Sequence, residues 1–436
     1  MSSHEPEPYS PSPEPLSEDE MDFEDNGLRF DGIPQGLEKI CDYAEGGHHP
    51  VSLNDRLGDH RQFQVIHKLG SGGYASVLLC RVLDANPSQY IALKILMADS
   101  SGADCPERTI LQFQELVQDE PTVAKYFSLP LHQFQIDGPN GTHLCFVYPL
   151  AGPAICPNHT RTDDPTEMLR GVSCQVAEAM AIIHRFGFCH GDFRPANILF
   201  RTHDINGLTE DELMQYLGDP RITKVVTASG EASADQRAPP YLVYPVLWPS
   251  GNSSLVSNQI SVIDFGEAFT MTDPPEDLGI PLDFAAPETL CGDQPGPTSD
   301  IWALACTLFE IRTGSRLFSL VDHSEDTYIP LVIETLGQFP DEWWSKCLDC
   351  MEYPPDEPFK PTGNPDSNIR SKLKRPVFHL PVEAGSTIHK RVFIREEEQE
   401  LFADLLESMF QYDVAKRPSA EEVLQHPWFS FISRGS

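Results

Sequence analysis

From about Phe63 the chain carries apolar and β-branched residues in short runs that are typical of β-strands. The stretch "FQVIHKLGSGGYASVLLCRVL" has such residues on both sides of a glycine cluster, which predicts two strands joined by a flexible turn. "YIALKIL" predicts a third strand, and "HQFQI" and "HLCFVYPL" predict two more around the turn sequence "DGPNGT". With one helix near Glu107, residues 63–149 are predicted to form a small antiparallel β-rich lobe.

Helical patterns dominate after this region. "DDPTEMLRGVSCQVAEAMAIIHRFG" has apolar residues on one helical face, with Asp164 as a cap, Pro165 at the first helical position and Gly187 at the end. "SDIWALACTLFEIRTG" is nearly all apolar, which predicts a helix buried on every side. "SAEEVLQHPWF" opens with a Ser419 and Glu422 capping box. These patterns predict an α+β fold in which a larger helical part, residues 150–430, follows the β-rich one.

Two regions differ in composition. The first 25 residues contain five prolines and no Lys or Arg, so they cannot bury enough apolar surface to fold, and residues 1–40 are predicted to be a disordered acidic tail. Residues 201–260 form an insert that is rich in Pro, Ser and Asp. Within it, "TEDELMQYL" predicts a short helix and "PPYLVYPVLWP" an extended stretch, but neither indicates a chemistry.

The formal net charge of −35 limits the possible partners. Residues 1–56 hold 14 acidic and 3 basic side chains, a balance of −11, so the other residues carry −24. This charge disfavours nucleic acid and anionic membranes as partners and favours a cationic partner, unless it only keeps the protein soluble.

No apolar run in the sequence reaches the roughly 18 residues that a membrane span needs. We expect a reducing compartment, the cytoplasm and nucleus, because the cysteines show no disulfide or metal spacing. We also expect a monomer.

A candidate phosphate-binding loop lies between the first two predicted strands. Glycines there would let backbone N–H groups approach phosphate oxygens, although a plain hairpin turn fits the loop alone equally well. Lys94 in "IALK", one strand later, makes nucleotide binding the better interpretation. Glu107 is the expected partner of Lys94, and Glu115 is the rival. The loop residues are Leu69, Gly70, Ser71, Gly72, Gly73, Tyr74, Ala75, Ser76 and Val77.

The stretch "HGDFRPANILF" supplies candidate catalytic groups. Asp192 is suited to accept a proton from a substrate hydroxyl, and Asn197 to bind Mg²⁺. Asp264 in "SVIDFGEAF" follows an apolar strand and is a second candidate Mg²⁺ ligand. A polar turn after a strand explains either motif singly, but not both in this order after a glycine loop and a strand lysine. The combination predicts ATP-dependent phosphoryl transfer.

The same stretch also resembles the catalytic loop of aminoglycoside and choline phosphotransferases. Further along, "AAPE" at 285–288 and "SDIWALACTLFE" resemble protein kinases instead. There Glu288 is expected to pair with Arg417, and Asp300 to brace the catalytic loop. These elements favour a protein kinase, with a weakly active or inactive binding module for Arg-rich proteins as the alternative and a small-molecule phosphotransferase as a distant third.

Within protein kinases, the chain is similar to the SR-protein kinase family, in particular its compact fungal-type members. "DYAEGGHHPVSLNDRL", within residues 41–62, resembles the family's pre-kinase segment, and "GPNGTHLCFVYPLAGP" resembles its hinge, with Tyr148 at the gatekeeper position. The resemblance covers residues 41–430. It implies a two-lobed kinase fold with lobes 63–149 and 150–430, ATP and Mg²⁺ as cofactors, and basic proteins rich in Arg-Ser repeats as substrates, with a role in mRNA splicing.

Four residues depart from the usual kinase pattern. The family tolerates Ala75 in the loop and a residue other than arginine at Gly191. Pro149 replaces an acidic hinge residue. Arg194 replaces a lysine that would steady the γ-phosphate. The positive charge is kept, but the compact ammonium group of lysine is replaced by the planar guanidinium group of arginine.

Residues 264–288 are acidic throughout. They contain seven acidic residues and no Lys or Arg, and their only Ser or Thr hydroxyls are those of Thr270 and Thr272. A phosphate there would meet carboxylates and no arginine at position 191, so we expect activity without phosphorylation of this segment. The same carboxylates would attract an arginine-rich peptide.

Overall fold

The computed structural model describes residues 27–31, 36–155, 165–227, 229–248, 255–320, 324–341, 343–344, 361–381 and 389–431. Its strands, in chain order, are β1 (Leu28–Phe30), β2 (Arg56–Leu57), β3 (Phe63–Ser71), β4 (Ala75–Val82), β5 (Gln89–Leu96), β6 (His132–Gly138), β7 (Gly141–Pro149), β8 (Ala151–Ala154), β9 (Phe188–Cys189), β10 (Ile198–Thr202), β11 (Ile222–Thr227), β12 (Tyr241–Val243), β13 (Val256–Val262), β14 (Phe269–Thr270), β15 (Phe378–Pro381) and β16 (His389–Val392).

The α-helices in the same part of the chain are α1 (Thr109–Val117), α2 (Pro121–Ala124), α3 (Thr166–Arg185), α4 (Glu210–Leu217), α5 (Pro287–Leu290), α6 (Pro297–Thr313), α7 (Glu325–Leu336), α8 (Ile369–Leu373), α9 (Glu396–Met409) and α10 (Ala420–Leu424). None of the described helices combines the length and the apolar character that crossing a membrane requires.

The first lobe is an antiparallel sheet of six strands in the order β2-β3-β4-β5-β7-β6. Its apolar face includes Val65, Leu78, Leu93 and Cys145. Only five strands were predicted, because β2 has two residues and is too short to show an alternating pattern. It comes from the pre-kinase segment, which therefore extends the sheet.

The second lobe is built on α3 and α6, which pack together. α6 is buried on nearly every side, as its apolar sequence predicts, and Trp302 stacks with Phe318 at 5.8 Å between ring centres. The predicted capping box at Ser419 is present. Pro165 is the cap of α3, one residue before the helix, whereas it was predicted to be the first helical residue, and Asp164 lies outside the described residues. The two-lobed α+β prediction is confirmed.

A third layer covers the first lobe, and it is formed by residues that precede this lobe together with residues of the insert. β1 pairs with β11 and β11 with β12, so that Leu28 lies opposite Thr227. Leu28 and Ile40 are buried in a small core with Val225 and Leu242 from the insert. The predicted disordered tail is therefore too long: residues 27–31 and 36–40 belong to the fold, while residues 1–26 and 32–35 lie outside the described residues. Composition missed this because the pairing partner is distant in sequence.

The insert itself folds against the sheet. Helix α4 has the capping box of Thr209 and Glu212, and only Tyr241–Val243 of the predicted extended stretch pairs as a strand. Leu213 and Leu217 of α4 pack on Ile66 and Leu79 of the first lobe. The insert also bonds to the sheet directly, since the backbone N–H of Val246 donates to the carbonyl oxygen of Lys68 at 2.9 Å.

A buried ion pair joins this layer to β3. Lys68, next to the glycine-rich loop, bonds through Nζ to Glu38 Oε2, and the two side chains are only 4% and 3% exposed. The hydroxyl of Tyr43 donates to Glu38 Oε1 at 2.7 Å. Both carboxylate oxygens are thus satisfied, as a buried charge requires.

Because this pair is buried, removing one partner leaves an uncompensated charge. Glu38→Gln is expected to lower the free energy of unfolding by about 3–5 kcal/mol. Glu120→Gln, at the Arg185–Glu120 pair whose side chains are both 50% exposed, is expected to cost less than about 1 kcal/mol. Urea unfolding at pH 7 measures both variants. Equal costs would show that the buried pair contributes no more than a surface pair.

Candidate active site

The glycine-rich loop joins β3 to β4 and is left open for a ligand. The turn closes with Gly72 N–H donating to Ala75 O at 2.9 Å, and Tyr74 at its tip is 70% exposed. A Cβ added at Gly70, Gly72 or Gly73 would meet no atom within 4 Å. Protein packing therefore does not require glycine at these positions, whereas close approach of phosphates to the backbone does.

Lys94 connects three separate segments. It lies on β5, opposite Val77 of β4, and its Nζ bonds to Glu107 Oε2 at 2.6 Å and to Asp264 Oδ1 at 2.9 Å. Glu107, in a single turn before α1, is the residue that sequence reasoning selected, while its rival Glu115 is exposed. Burial alone would lower the pKa of Lys94, but the carboxylates of Glu107 and Asp264 outweigh it and the pKa is raised. The lysine is fully charged at neutral pH.

Asp264 combines a charge with an unusual backbone conformation. Lys94 lowers the pKa of the Asp264 carboxyl, although burial opposes this effect. Its φ of 63° lies in the left-handed region, which is uncommon outside glycine and is found at functional sites.

Asp192, Arg194 and Asn197 form one hydrogen-bonded group. Arg194 Nε donates to both carboxylate oxygens of Asp192, at 2.9 and 3.0 Å. Asn197 Nδ2 donates to Asp192 Oδ2 at 2.7 Å and to its carbonyl oxygen at 2.8 Å. Burial raises the pKa of the Asp192 carboxyl, and Arg194 opposes the rise. Both bonds are made by the single N–H of Nε. The four N–H donors of the two Nη groups are therefore not used by Asp192 and could bind a phosphate.

The geometry explains Gly191, which sequence reasoning attributed only to family tolerance. Its φ is 77°, and a Cβ there would lie 2.2 Å from the carbonyl oxygen of Glu267. Its N–H donates to Asp300 Oδ1 at 3.1 Å, and that of His190 to Asp300 Oδ2 at 2.8 Å. Asp300 therefore contacts the catalytic loop as expected, and an arginine at position 191 would displace residue 267.

Two further contacts hold the acidic segment, residues 264–288. Arg417 and Glu288 pair with both carboxylate oxygens engaged, including Nη2 to Oε2 at 2.8 Å, in the expected arrangement. Glu267 Oε2 accepts from the N–H of Gly279 at 2.8 Å, which ties together residues 12 apart. Sequence reasoning missed Glu267, because no spacing distinguishes it from its acidic neighbours.

The oxygen atoms of Asp264 and Asn197 suit Mg²⁺. The Nδ2 group of Asn197 is used by Asp192, so its Oδ1 is the atom available to a metal, and Asp264 bonds to Lys94 through Oδ1. Carboxylate and amide oxygens are the ligand type that Mg²⁺ prefers. The residues fit a magnesium-bound nucleotide held between the glycine-rich loop and Asp192.

Comparisons with known proteins agree with this geometry. Residues 252–429 match the family model described as "Protein kinase domain". The chain is 26% identical to the serine/threonine-protein kinase SRPK of Physarum polycephalum, over 94% of each chain. It is 25% identical to the serine/threonine-protein kinase AFC3 of Arabidopsis thaliana, over 90% of this chain and 88% of the relative. Its fold resembles a crystal structure of a kinase domain with a TM-score of 0.56 and 20% identity, covering 87% of this chain and 98% of the other.

The chain carries a match to a protein kinase domain over residues 252–429, and along most of its length it is similar to serine/threonine and dual specificity kinases of the SRPK and CLK type. The human dual specificity kinase CLK2 is 23% identical over 90% of this chain and 68% of its own length. Protein kinases use ATP with Mg²⁺, which supplies positive charge to the transferred phosphoryl group.

The Asp192–Arg194 contact predicts a shift in pH dependence. Since Arg194 lowers the pKa of a carboxyl that burial raises, Arg194→Ala should raise that pKa and move the acid limb of kcat/KM to higher pH. Arg194→Lys keeps a cation and should move it less. The dependence of kcat/KM on pH, from about pH 5 to 8, measures this shift. ATP itself titrates in this range, but its titration is the same for every variant and cancels in the comparison. Arg201→Ala, at an exposed arginine bonded to Lys125 O, is the control. An unmoved acid limb in Arg194→Ala would contradict the prediction.

Proposed function

We propose that this kinase transfers the γ-phosphate of ATP to serine in basic proteins rich in Arg-Ser dipeptides, of the kind that act in mRNA splicing. In this proposal Asp192 accepts the serine proton and Arg194 steadies the γ-phosphate. Asn197 and Asp264 hold Mg²⁺, while Lys94 and Glu107 place the nucleotide. The enzyme acts as a monomer in the cytoplasm and nucleus.

The exposed carboxylates of the acidic segment carry the substrate part of the proposal. Four of the seven acidic side chains are occupied within the protein, since Asp264 bonds to Lys94, Glu267 to Gly279, Asp283 to Arg316 and Glu288 to Arg417. Asp273, Glu276 and Asp277 remain exposed. This leaves three adjacent negative charges for a cationic peptide, fewer than the sequence count alone indicated.

A carboxylate beside the catalytic loop supports the same substrate class. Glu310 lies on α6, where its Oε2 is buried and accepts no hydrogen bond within the described part of the chain. Burial raises the pKa of this carboxyl, and Arg316 Nε lies 3.9 Å from Oε2, beyond hydrogen-bond distance. A substrate arginine that reached this oxygen would supply the donor that it lacks.

Transfer of labelled phosphate from Mg-ATP tests the proposal. The full chain, made in a bacterial host, should phosphorylate an Arg-Ser repeat peptide, and Asp192→Ala should abolish transfer. A Lys-Ser peptide of equal charge runs alongside, because the proposal requires a preference for arginine. Nucleotide binding without transfer to either peptide would favour the binding-module alternative.

Salt provides a second arm of this experiment. The attraction between an Arg-Ser peptide and Asp273, Glu276 and Asp277 is screened as ionic strength rises. KM for the peptide should therefore increase with salt, and replacing the three residues by Asn, Gln and Asn should remove most of that dependence. A neutral Ser peptide is the control. Equal salt dependence for both peptides would contradict an electrostatic role for the segment.

We also infer that the acidic segment needs no phosphorylation. Thr270 lies on β14, which pairs with β9, and its hydroxyl is 3.2 Å from that of Thr272. Gly191 offers no cation to a phosphate there, and the Glu267–Gly279 bond supplies a restraint within the segment.

Thr270→Ala with Thr272→Ala is therefore expected to keep at least about half of the wild-type kcat, since loss of an exposed hydroxyl contact costs little. Glu267→Gln should lower activity more than the double threonine variant, because it weakens the bond that closes the segment. Peptide phosphorylation at equal protein concentration measures both. Loss of activity in the double variant with folding intact would overturn the inference.

A further inference from the structure

Tyr148 places a hydroxyl at the back of the nucleotide cleft. It lies on β7 opposite Ala92 of β5, while Phe146 lies opposite Lys94. Residues two apart on a strand face the same side, so Tyr148, Phe146, Ala92 and Lys94 share the face that looks into the cleft. The rings of Phe146 and Tyr148 are 6.2 Å apart.

This hydroxyl contacts the partner of the catalytic lysine. Tyr148 Oη donates to Glu107 Oε1 at 3.0 Å, and Lys94 Nζ donates to Glu107 Oε2 at 2.6 Å. Each oxygen of the carboxylate therefore has its own donor, one from β7 and one from β5. Two donors on a rigid sheet fix both the position and the rotation of the carboxylate, whereas one donor fixes only its distance.

Because Glu107 is buried, losing the hydrogen bond from Tyr148 would be costly. The Glu107 side chain is 5% exposed, so water cannot replace a lost bond at low cost. Burial and the neighbouring Glu107 raise the pKa of the Tyr148 hydroxyl well above its usual value, so it stays protonated and remains a donor. Backbone hydrogen bonds hold the turn Pro106–Arg108, while the bonds from Lys94 and Tyr148 orient the Glu107 carboxylate itself.

We propose that Tyr148 is a positioning residue for ATP binding, which acts by holding Glu107 in the orientation that pairs with Lys94. The inference rests on the assignment of the chain as a kinase, but not on the Arg-Ser substrate. The bond from Tyr148 thus restrains the Lys94–Glu107 pair from the β-sheet, and this restraint does not depend on the acidic segment. A purely space-filling aromatic ring at the back of the cleft is the alternative.

Tyr148→Phe tests this because it removes one oxygen atom and keeps the ring. ATP affinity of the full chain, measured by calorimetric titration with Mg-ATP, is expected to fall about tenfold, the lower end of the cost of losing a hydrogen bond to a charged group. KM for ATP should rise by a similar factor, while KM for the peptide changes little. Tyr126→Phe is the matched control, since Tyr126 Oη also bonds to a glutamate, Glu178, which is not a member of the Lys94 cluster.

A double-mutant cycle shows whether the effect passes through Glu107. In a Glu107→Ala background, Tyr148→Phe should have no further effect on ATP affinity, because the acceptor is already gone. Unchanged ATP affinity in the single variant, which a space-filling role predicts, would overturn the proposal. An equal loss in both backgrounds would also overturn it, because the hydroxyl would then act independently of Glu107. Thermal midpoints of both tyrosine variants establish that folding is intact. Because the readout is nucleotide binding, a negative result with Arg-Ser peptides leaves this test valid.

Discussion

The bonds of Lys94 to Glu107 and Asp264 are the constraint on which the active site depends. The three residues come from β5, from the turn before α1 and from the start of the acidic segment, two residues after β13, so one ammonium group joins both lobes. Opposite charges at hydrogen-bond distance in a largely buried site attract far more strongly than they would in water. The glycine-rich loop on one side and the Asp192 group on the other are then both brought to the same cleft.

The catalytic loop is held in place by Asp300, and its conformation requires a residue without a side chain, Gly191. The positive φ of Gly191 and its approach to the Glu267 carbonyl leave no room for a Cβ, while Asp300 accepts from two successive backbone N–H groups. The arginine that pairs with a loop phosphate in other kinases is thus sterically excluded here. In its place the segment carries the bond from Glu267 to Gly279, which is present without modification.

The layer over the first lobe links regions that the chain keeps far apart. β1 precedes the sheet and β11 belongs to the insert, yet they pair, and Glu38 reaches Lys68 beside the glycine-rich loop. The insert is therefore part of the first lobe. Its contacts with β3, through Ile66 and the Lys68 carbonyl, place it where its packing bears on the loop.

The sequence by itself determined the order of the chemistry: a glycine loop, a strand lysine, and Asp192, Asn197 and Asp264 in positions typical of a kinase. It also determined the helices with strong caps, α4 and α10, because capping and apolar periodicity are local. Only the tertiary structure decided the role of Leu28 and Ile40, the burial of Glu38 and Lys68, the requirement for glycine at 191 and the bond from Tyr148 to Glu107. Each of these arises between residues that are distant in the chain, where neither periodicity nor composition carries a signal. For the same reason, the sequence could not show that four of the seven acidic residues of the segment are bonded within the protein, which leaves three exposed carboxylates for a partner.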